Sequence, residues 1–463
     1  MVGGAVALWG LAIGLEALSD NSALTHLATG RLILDEGIPR RDPFSFTGEG
    51  RYWTVYSWLA SAGMALADRA AGGHGIIMAR AALTTGIAVV AWRLTRPAGA
   101  LGGRIIAVTV VLVVGTGSWP ERPLLIALAI FAALVLVTEA GGSPLLAAGG
   151  MWLWVNVHGS FPFGLVYLVV RLAGRRLDRA PLGALPPLVL GAVAGTLAGA
   201  VNPLGPRLLV FPFELLARHD LLDRVQEWQP PDFSRPTGGL FLVAFVTTLV
   251  LAGRRRSWED SLSVGVFGLA GCLAQRNLSL ASLVFAPVMA RSLAGLGTIR
   301  GERRSVLTLS ATAVLVMVGS LLVAASLQRP AYRLVDYPVR QLDWMDEQGL
   351  LAYRVATQDF VGNLIIARRG IEADVFYDDR YDLYPREVIK DSLALLDGQE
   401  GWQRRLDKYG IDVVLWERTK PLAEFLALDA GWVVVRKDPR WVIAVREGSR
   451  AAAGVNEVSK SWR

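Results

Sequence analysis

The sequence has little that would support cofactor or metal chemistry. Its 463 residues include one cysteine, Cys272, and four widely separated histidines. A single cysteine excludes a disulfide within the chain. The sequence contains no zinc-ligand spacing, no phosphate-binding P-loop, no nucleophile elbow and no GxGxxG between a strand and a helix. These absences argue against nucleotide-driven chemistry and against ATP-driven transport.

Charged residues are also scarce, at 19%, while 53% of the residues are hydrophobic. Soluble proteins are typically about 25% charged. The shortage is confined to residues 1–327, which hold the long apolar runs, whereas charges occur throughout residues 328–463. The composition therefore predicts a membrane domain at 1–327, a soluble domain at 328–450 and a disordered tail at 451–463.

The apolar runs predict an α-helical polytopic protein with eleven transmembrane helices. The predicted spans are 2–18, 76–94, 104–119, 122–139, 144–157, 160–175, 184–201, 238–253, 260–275, 278–294 and 305–327. The first lacks a basic n-region and a small-residue cleavage site, so we interpret it as a span rather than a signal peptide. Residues 53–70 are apolar but include Asp68 and Arg69, and we expect them to form a helix on the outer membrane surface.

Basic residues between the apolar runs predict the topology. The net charge is +7, and arginines cluster at 93–104, 171–179, 254–256 and 291–304. The positive-inside rule places such clusters in the cytoplasm, which explains the charge without nucleic acid. The N-terminus is then cytoplasmic. The loop 19–75 and the C-terminal domain are then outside the cell membrane.

The soluble domain has the pattern of an α/β fold. β-Rich runs occur at 352–355, 375–377, 411–416, 432–436 and 441–446. Helical patterns occur at 339–348, 385–396, 402–409 and 421–428. Strands that alternate with helices predict a small sheet covered by helices.

Polar residues at the outer edge of the membrane are the candidate functional residues. In the first loop these are Asp20, His26, Arg31 and Asp42. Asp20 has the residue type of a general base or metal ligand, but it could equally cap a helix that begins at Asn21. His26 fits a hydrogen-bonded structural role as well as a ligand role.

The later outer turns contribute six further candidates. They are Arg122, Asn156, His158, Glu227, Arg276 and Asn277. An arginine at this depth requires an anionic partner, which is either a carboxylate such as Glu227 or a lipid phosphate. Both interpretations are open for Arg122 and for Arg276.

The ordered set of these motifs resembles the polytopic GT-C glycosyltransferases, in particular the bacterial protein-mannosyltransferase and aminoarabinose-transferase type. The matching features are Asp20 after the first span, Arg122-Pro123, Asn156-x-His158-Gly159, Asn202-Pro203-x-Gly205, Glu227-Trp228-x-Pro230-Pro231, Arg276-Asn277, Gly362-Asn363-Leu364 and Asp379-Arg380-Tyr381-Asp382. The resemblance covers nearly the whole chain.

The resemblance implies transfer of a sugar from a polyprenyl-phosphate donor to a glycan, lipid or protein acceptor in the bacterial cell envelope. It implies that Asp20 is the catalytic carboxylate and that the other candidates bind the donor or acceptor. Relatives often have two adjacent acidic residues where this chain has Asp20 and Asn21. A divalent metal is therefore an open alternative. The competing functions are a lipid-linked glycan polymerase or ligase, a flippase and a non-catalytic scaffold.

Overall fold

The chain forms two compact units. The computed structural model describes residues 1–218, 225–295 and 306–461. Unit 1 comprises Met1–Ser19 and Tyr56–Tyr332, and unit 2 comprises Asp20–Val55 and Arg333–Arg463. Most of the predicted first outer loop therefore groups with the C-terminal residues. The basic residues predicted at 300–304 lie outside the described residues.

Unit 1 is built from apolar helices. Numbered along the whole chain, its described helices are α1 (Val2–Gly14), α3 (Trp58–Leu94), α4 (Leu101–Gly115), α5 (Pro123–Glu139), α6 (Pro144–Val157), α7 (Pro162–Leu177), α8 (Leu185–Ala198), α9 (Arg207–Leu216), α10 (Pro236–Arg254), α11 (Trp258–Leu273), α12 (Leu278–Ser292) and α13 (Val306–Leu327). Pro123, Pro144 and Pro236 start helices at positions where no helical hydrogen bond is lost. Ser143 and Ser257 accept backbone N–H groups as N-caps.

Several helices have the length and composition of membrane spans. Within the described residues, three are long and apolar enough to cross a membrane, namely Trp58–Ala98, Pro236–Arg254 and Leu309–Leu327. Five further apolar helices in that part of the chain have 10–17 residues, fewer than the about 20 that one crossing requires. The chain is a helical membrane protein, and the eleven crossings stay a prediction.

Helix α3 is broken in the middle. The backbone leaves helical geometry at Ala71 and Gly72, and Gly72 has a positive φ of 59°, which glycine adopts without strain. A Cβ on Gly75 would lie 1.9 Å from the carbonyl oxygen of Ala67. The break separates the predicted surface helix 53–70 from the predicted span 76–94. The position of the first segment relative to a membrane stays a prediction.

Ion pairs join four helices of unit 1. Arg171 on α7 contacts Glu139 of α5 and Glu259 of α11, each at 2.7 Å. Arg291 on α12 contacts Glu139 at 2.6 Å and Asp260 of α11 at 2.5 Å. Charges removed from water require such partners. Two of the arginines assigned to cytoplasmic clusters are therefore structural partners of acidic residues.

Unit 2 is an α/β unit, as predicted. Its described helices are α2 (Asn21–Glu36), α14 (Val339–Glu347), α15 (Asp359–Arg369), α16 (Arg386–Leu396), α17 (Trp402–Lys408), α18 (Pro421–Leu428) and α19 (Arg450–Ser461). Its strands are β1 (Val355–Ala356), β2 (Val413–Glu417), β3 (Trp432–Lys437) and β4 (Trp441–Arg446). The sheet order is β1-β2-β4-β3; β1 is parallel to β2, and the other pairs are antiparallel.

Two local expectations for unit 2 differ from the structure. Residues 375–377 do not join the sheet, because Val375 exchanges hydrogen bonds with Phe44 and Phe46 instead. Helix α15 is absent from the sequence prediction, because its β-branched residues have the composition of a strand. It packs closely because Gly362 lies against Tyr377, where a Cβ would be 2.2 Å from the carbonyl oxygen.

The C-terminal residues are ordered into α19, where the sequence predicts a disordered tail. Ala451, Ala452 and Val455 are buried. Burial of this apolar stripe stabilises a helix that its polar composition alone does not predict.

Candidate functional site

Two arginines of unit 1 share one carboxylate. Arg122 lies immediately before α5, Glu227 lies in the turn Gln226–Trp228, and Arg276 lies in the turn between α11 and α12. Glu227 pairs with Arg122 and lies 3.7 Å from Arg276. The Arg276 guanidinium also stacks on Trp228, 4.3 Å from the ring centre. All three charged side chains are partly exposed.

The two turns that carry Glu227 and Arg276 are hydrogen-bonded to each other. The backbone N–H of Gln275 donates to Gln229 at 2.9 Å, and the Gln275 side chain donates to the Gln226 carbonyl at 3.3 Å. Asn277, which was predicted to bind the donor or acceptor, donates to the Ala270 carbonyl at 2.9 Å. Asn277 therefore satisfies the C-terminal end of α11 and holds the turn in place.

Asn156 and His158 lie together at the end of α6 and contact aromatic residues. Asn156 is fully buried and accepts a hydrogen bond from the Trp58 indole at 3.1 Å. The Nδ1 atom of His158 lies 2.9 Å from the Ser160 hydroxyl, and its ring meets Tyr56 edge-on. These contacts of both residues are with protein groups of unit 1. They support a role in holding residues 56–58 on α6.

A buried ion pair in unit 1 was missed from the sequence. Arg80 of α3 pairs with Glu121, and their side chains are 5% and 1% exposed. Arg80 also donates to the Gly14 carbonyl at 3.0 Å, at the end of α1. Glu121 accepts the backbone N–H of Ser19 at 2.6 Å. The sequence did carry a signal for this pair, because Arg80 lies inside the predicted span 76–94. Arginines within spans are rare, and they are functional or paired with an acidic group.

In unit 2, Asp20 is the N-cap of α2. Its carboxylate accepts the Ser22 backbone N–H at 3.0 Å, so the capping interpretation is observed. His26 and Arg31 lie on the same helix, and Arg31 donates to the Ala367 carbonyl of α15 at 3.3 Å. Capping holds the Asp20 carboxylate in a defined orientation.

Asp42 lies in the interior of unit 2. Its buried carboxylate contacts Arg380 at 2.7 Å and also accepts the Ser45 hydroxyl. Arg380 contacts Asp378 at 2.6 Å and stacks over Trp53. Burial by itself lowers the pKa of Arg380, but Asp378 and Asp42 outweigh it and hold that pKa well above its ordinary value. Asp42 was predicted to bind the donor or acceptor, and in the structure its carboxylate pairs with Arg380. The cluster around Arg380 is a buried ion network.

A divalent metal, which the resemblance leaves open, has no ligand set in the described part of the chain. No group of three or more His, Cys, Asp or Glu side chains converges there. Of the carboxylates named as candidates, Asp42 and Glu227 both pair with arginines. A hard cation needs several oxygen ligands at once, so these residues do not fit one.

Comparison with known proteins shows similarity of fold. No protein-family model matches the sequence, and no curated protein matches it. The apo crystal structure of the Archaeoglobus fulgidus oligosaccharyltransferase matches with a TM-score of 0.57 at 10% identity, over 89% of this chain and 69% of that one. Its complex with zinc and sulfate matches with a TM-score of 0.53 at 12% identity, over 92% of this chain and 69% of that one. The chain shares its fold with these two structures. This similarity supports the GT-C-like fold expected from the resemblance and leaves the subtype as a proposal.

Proposed function

We propose that this protein transfers a sugar from a polyprenyl-phosphate-linked donor to a hydroxyl or amine of a glycan, lipid or protein acceptor. The reaction takes place at the outer face of a bacterial plasma membrane, with a cytoplasmic N-terminus and unit 2 outside. The fold shared with an oligosaccharyltransferase supports glycosyl transfer as the reaction class. The mannosyltransferase and aminoarabinose-transferase type is part of the same proposal.

The observation that carries the proposal is the sharing of Glu227 by Arg122 and Arg276. One oxyanion is held by two guanidinium groups from separate turns, and the carboxylate oxygens stand in for those of a phosphate. Arginine binds phosphate through the same planar geometry that binds carboxylate. We assign the donor phosphate to this pair, with Trp228 supporting Arg276 from the ring face.

The proposed reaction is a single displacement at the anomeric carbon. The acceptor oxygen or nitrogen forms a bond to that carbon while the bond from carbon to the phosphate oxygen breaks. The electron pair leaves with the phosphate, whose charge Arg122 and Arg276 stabilise. The acceptor proton passes to Asp20 as general base. Attack opposite the leaving group inverts the configuration.

The remaining predicted residues have supporting roles in this proposal. Asn156 and His158 hold the segment that bears aromatic residues. Asn277 holds the turn that bears Arg276. Arg31 and Asp42 hold α2 and the loop that follows it within unit 2. His26 stays a proposed donor- or acceptor-binding residue on α2, six positions after Asp20.

Transfer of radiolabelled sugar from a panel of polyprenyl-phosphate sugars tests the proposal. The purified protein is assayed in lipid beside Asp20→Asn and Arg276→Ala. We expect wild type to transfer label, Asp20→Asn to lose about 10²–10⁴-fold in rate, and Arg276→Ala to bind donor more weakly than Asp20→Asn does. Wild-type turnover by Asp20→Asn would remove Asp20 from the mechanism, and equal donor affinity in the two variants would remove Arg276.

The same assay separates the competing functions. A lipid-linked polymerase or ligase gives label in long or preassembled glycans, so product size distinguishes it from single-sugar transfer. A flippase moves donor lipid across the bilayer without changing it. Lipid movement with no turnover of any donor would therefore replace the enzyme proposal with transport.

A further inference from the structure

A ring of hydrogen bonds ties the first turn of α2 to the C-terminal part of unit 2. The Asn363 side chain donates to the Asn21 carbonyl at 3.2 Å and accepts the Asp379 backbone N–H at 3.3 Å. The Asp379 carboxylate in turn accepts the Ser22 hydroxyl. Two consecutive residues of α2 are thus held by two residues that follow them by more than 300 positions.

The ring includes the residues next to Asp20. Ser22 uses its hydroxyl for Asp379 and its backbone N–H for the Asp20 carboxylate. Asn21 is the residue bonded directly to Asp20, and its carbonyl is held by Asn363. The orientation of the Asp20 carboxylate therefore depends on the place of Ser22, which Asp379 sets.

Asn363 is the buried member of the ring. It is fully buried, and its two hydrogen bonds use both its amide nitrogen and its oxygen. Gly362 beside it allows α15 to approach Tyr377, where a side chain would collide with backbone. An amide buried with both ends bonded has few alternative orientations, and loss of one partner costs the desolvation of the other.

We infer that Asn363 and Asp379 are positioning residues for Asp20. The inference rests on the proposed role of Asp20 as the base. It gives the two C-terminal motifs, Gly362-Asn363-Leu364 and the acidic residue before Arg380, a shared task. Asn363 and Asp379 then connect the C-terminal part of unit 2 with the reaction, because they hold the turn that carries the base.

A direct role of Asp379 in chemistry is the alternative, and one pair of variants separates the two. Asp379→Asn keeps an oxygen that accepts the Ser22 hydroxyl but has no negative charge, so it cannot act as an ionised base or as an anionic ligand of a cation. Asp379→Ala removes the acceptor. A positioning role predicts that Asp379→Asn retains most activity and that Asp379→Ala loses it, while a direct role predicts that both are inactive.

The experiment measures sugar transfer and amide hydrogen exchange on the full-length protein in lipid. The variants are Ser22→Ala, Asp379→Ala, Asp379→Asn and the double variant Ser22→Ala/Asp379→Ala. The control is Asp343→Ala, which removes an exposed ion pair to Arg368 near the other end of α15. Ser22→Ala removes one hydroxyl and so reports on the ring even if Asp379→Ala folds poorly.

We expect Ser22→Ala and Asp379→Ala to lower kcat by about 10-fold to 100-fold with donor affinity unchanged, because small misplacements of a reacting group have effects of this size. Amides of residues 21–24 should exchange faster in both. The double variant should resemble the single ones, because both break the same bond. The control should resemble wild type, and Asp379→Asn should retain most of the wild-type activity.

Two results would overturn the inference. One is loss of activity in Asp379→Asn equal to that in Asp379→Ala. The other is wild-type exchange at residues 21–24 in both Ser22→Ala and Asp379→Ala. If wild-type protein transfers no sugar, the proposed function fails, and the exchange data alone decide whether the ring holds the α2 turn.

Discussion

Glu121 accepts the backbone N–H of Ser19 while its carboxylate pairs with Arg80 in the interior of unit 1. Ser19 is the last residue before Asp20, and Glu121 is bonded to Arg122. One buried ion pair thus holds the backbone at Ser19 and at the residue before Arg122, both within unit 1. Arg80 additionally fixes the end of α1 through the Gly14 carbonyl.

Replacing Arg80 tests the importance of this pair. Arg80→Met removes the guanidinium that pairs with the buried Glu121 carboxylate, and breaking a buried ion pair costs about 3–5 kcal/mol of unfolding free energy. Arg368→Met removes an exposed pair with Asp343 and should cost about 0–1 kcal/mol. Denaturation of both variants in detergent gives the comparison. Equal stability of the two would show that the Arg80 pair is not structural.

Removing the carboxylate at position 227 tests the shared-anion site. In Glu227→Gln the two arginines lose a competing anion, so we expect donor lipid to bind about tenfold more tightly, which corresponds to about 1.4 kcal/mol. Donor affinity is measured by titration at several salt concentrations. Weaker binding in Glu227→Gln would mean that the carboxylate orders the arginines for the donor instead of competing with it.

The break in α3 predicts a difference between two glycines. In Gly75→Ala the new Cβ would lie 1.9 Å from the Ala67 carbonyl oxygen. This oxygen belongs to the backbone, so the clash cannot be relieved by rotating a side chain. Overpacking of this kind costs about 1–3 kcal/mol. Gly63 lies in the same helix with nothing within 4 Å, so Gly63→Ala should be neutral or stabilising. Thermal melting that ranks the two variants in the opposite order would contradict the observed break.

Asp391 predicts a pH dependence in unit 2. Burial raises its pKa, but hydrogen bonds from Lys408 and Tyr409 outweigh this and lower it. Since the folded pKa lies below the unfolded value of about 3.9, the ionised group stabilises the fold above that pH. This stabilisation is lost as pH falls through the folded pKa.

The corresponding variant is Asp391→Asn. We expect wild type to melt at a higher temperature than the variant near neutral pH, and the difference to shrink as pH falls below about 4. Melting curves followed by tryptophan fluorescence across this range provide the measurement. A difference that stays constant with pH would assign the effect to packing and not to the charge.

Local patterns were sufficient for much of the fold. The helices at 386–396, 402–408 and 421–428 agree with the sequence prediction within one residue at either end. Their apolar periodicity and flanking turns are properties of neighbouring residues. Helix α15 was missed because its β-branched residues favour a strand locally. Its helical form depends on contacts with Tyr377 and with α2.

The sequence by itself determined that the chain is a helical membrane protein with an α/β unit. The hydrophobicity and charge of a segment depend only on adjacent residues, so both can be read from the sequence. Only the tertiary structure decided which charges are paired. Arg380 pairs with Asp42 across 338 positions, and Asn363 reaches Asn21 across 342. The periodicity of a helix or strand carries no information about contacts over such separations in the sequence. Burial and pairing are determined where remote segments of the chain come into contact. The capping role of Asp20 involves neighbouring residues, so the sequence could indicate it. The remote residues that hold the Asp20 turn could not be identified from the sequence.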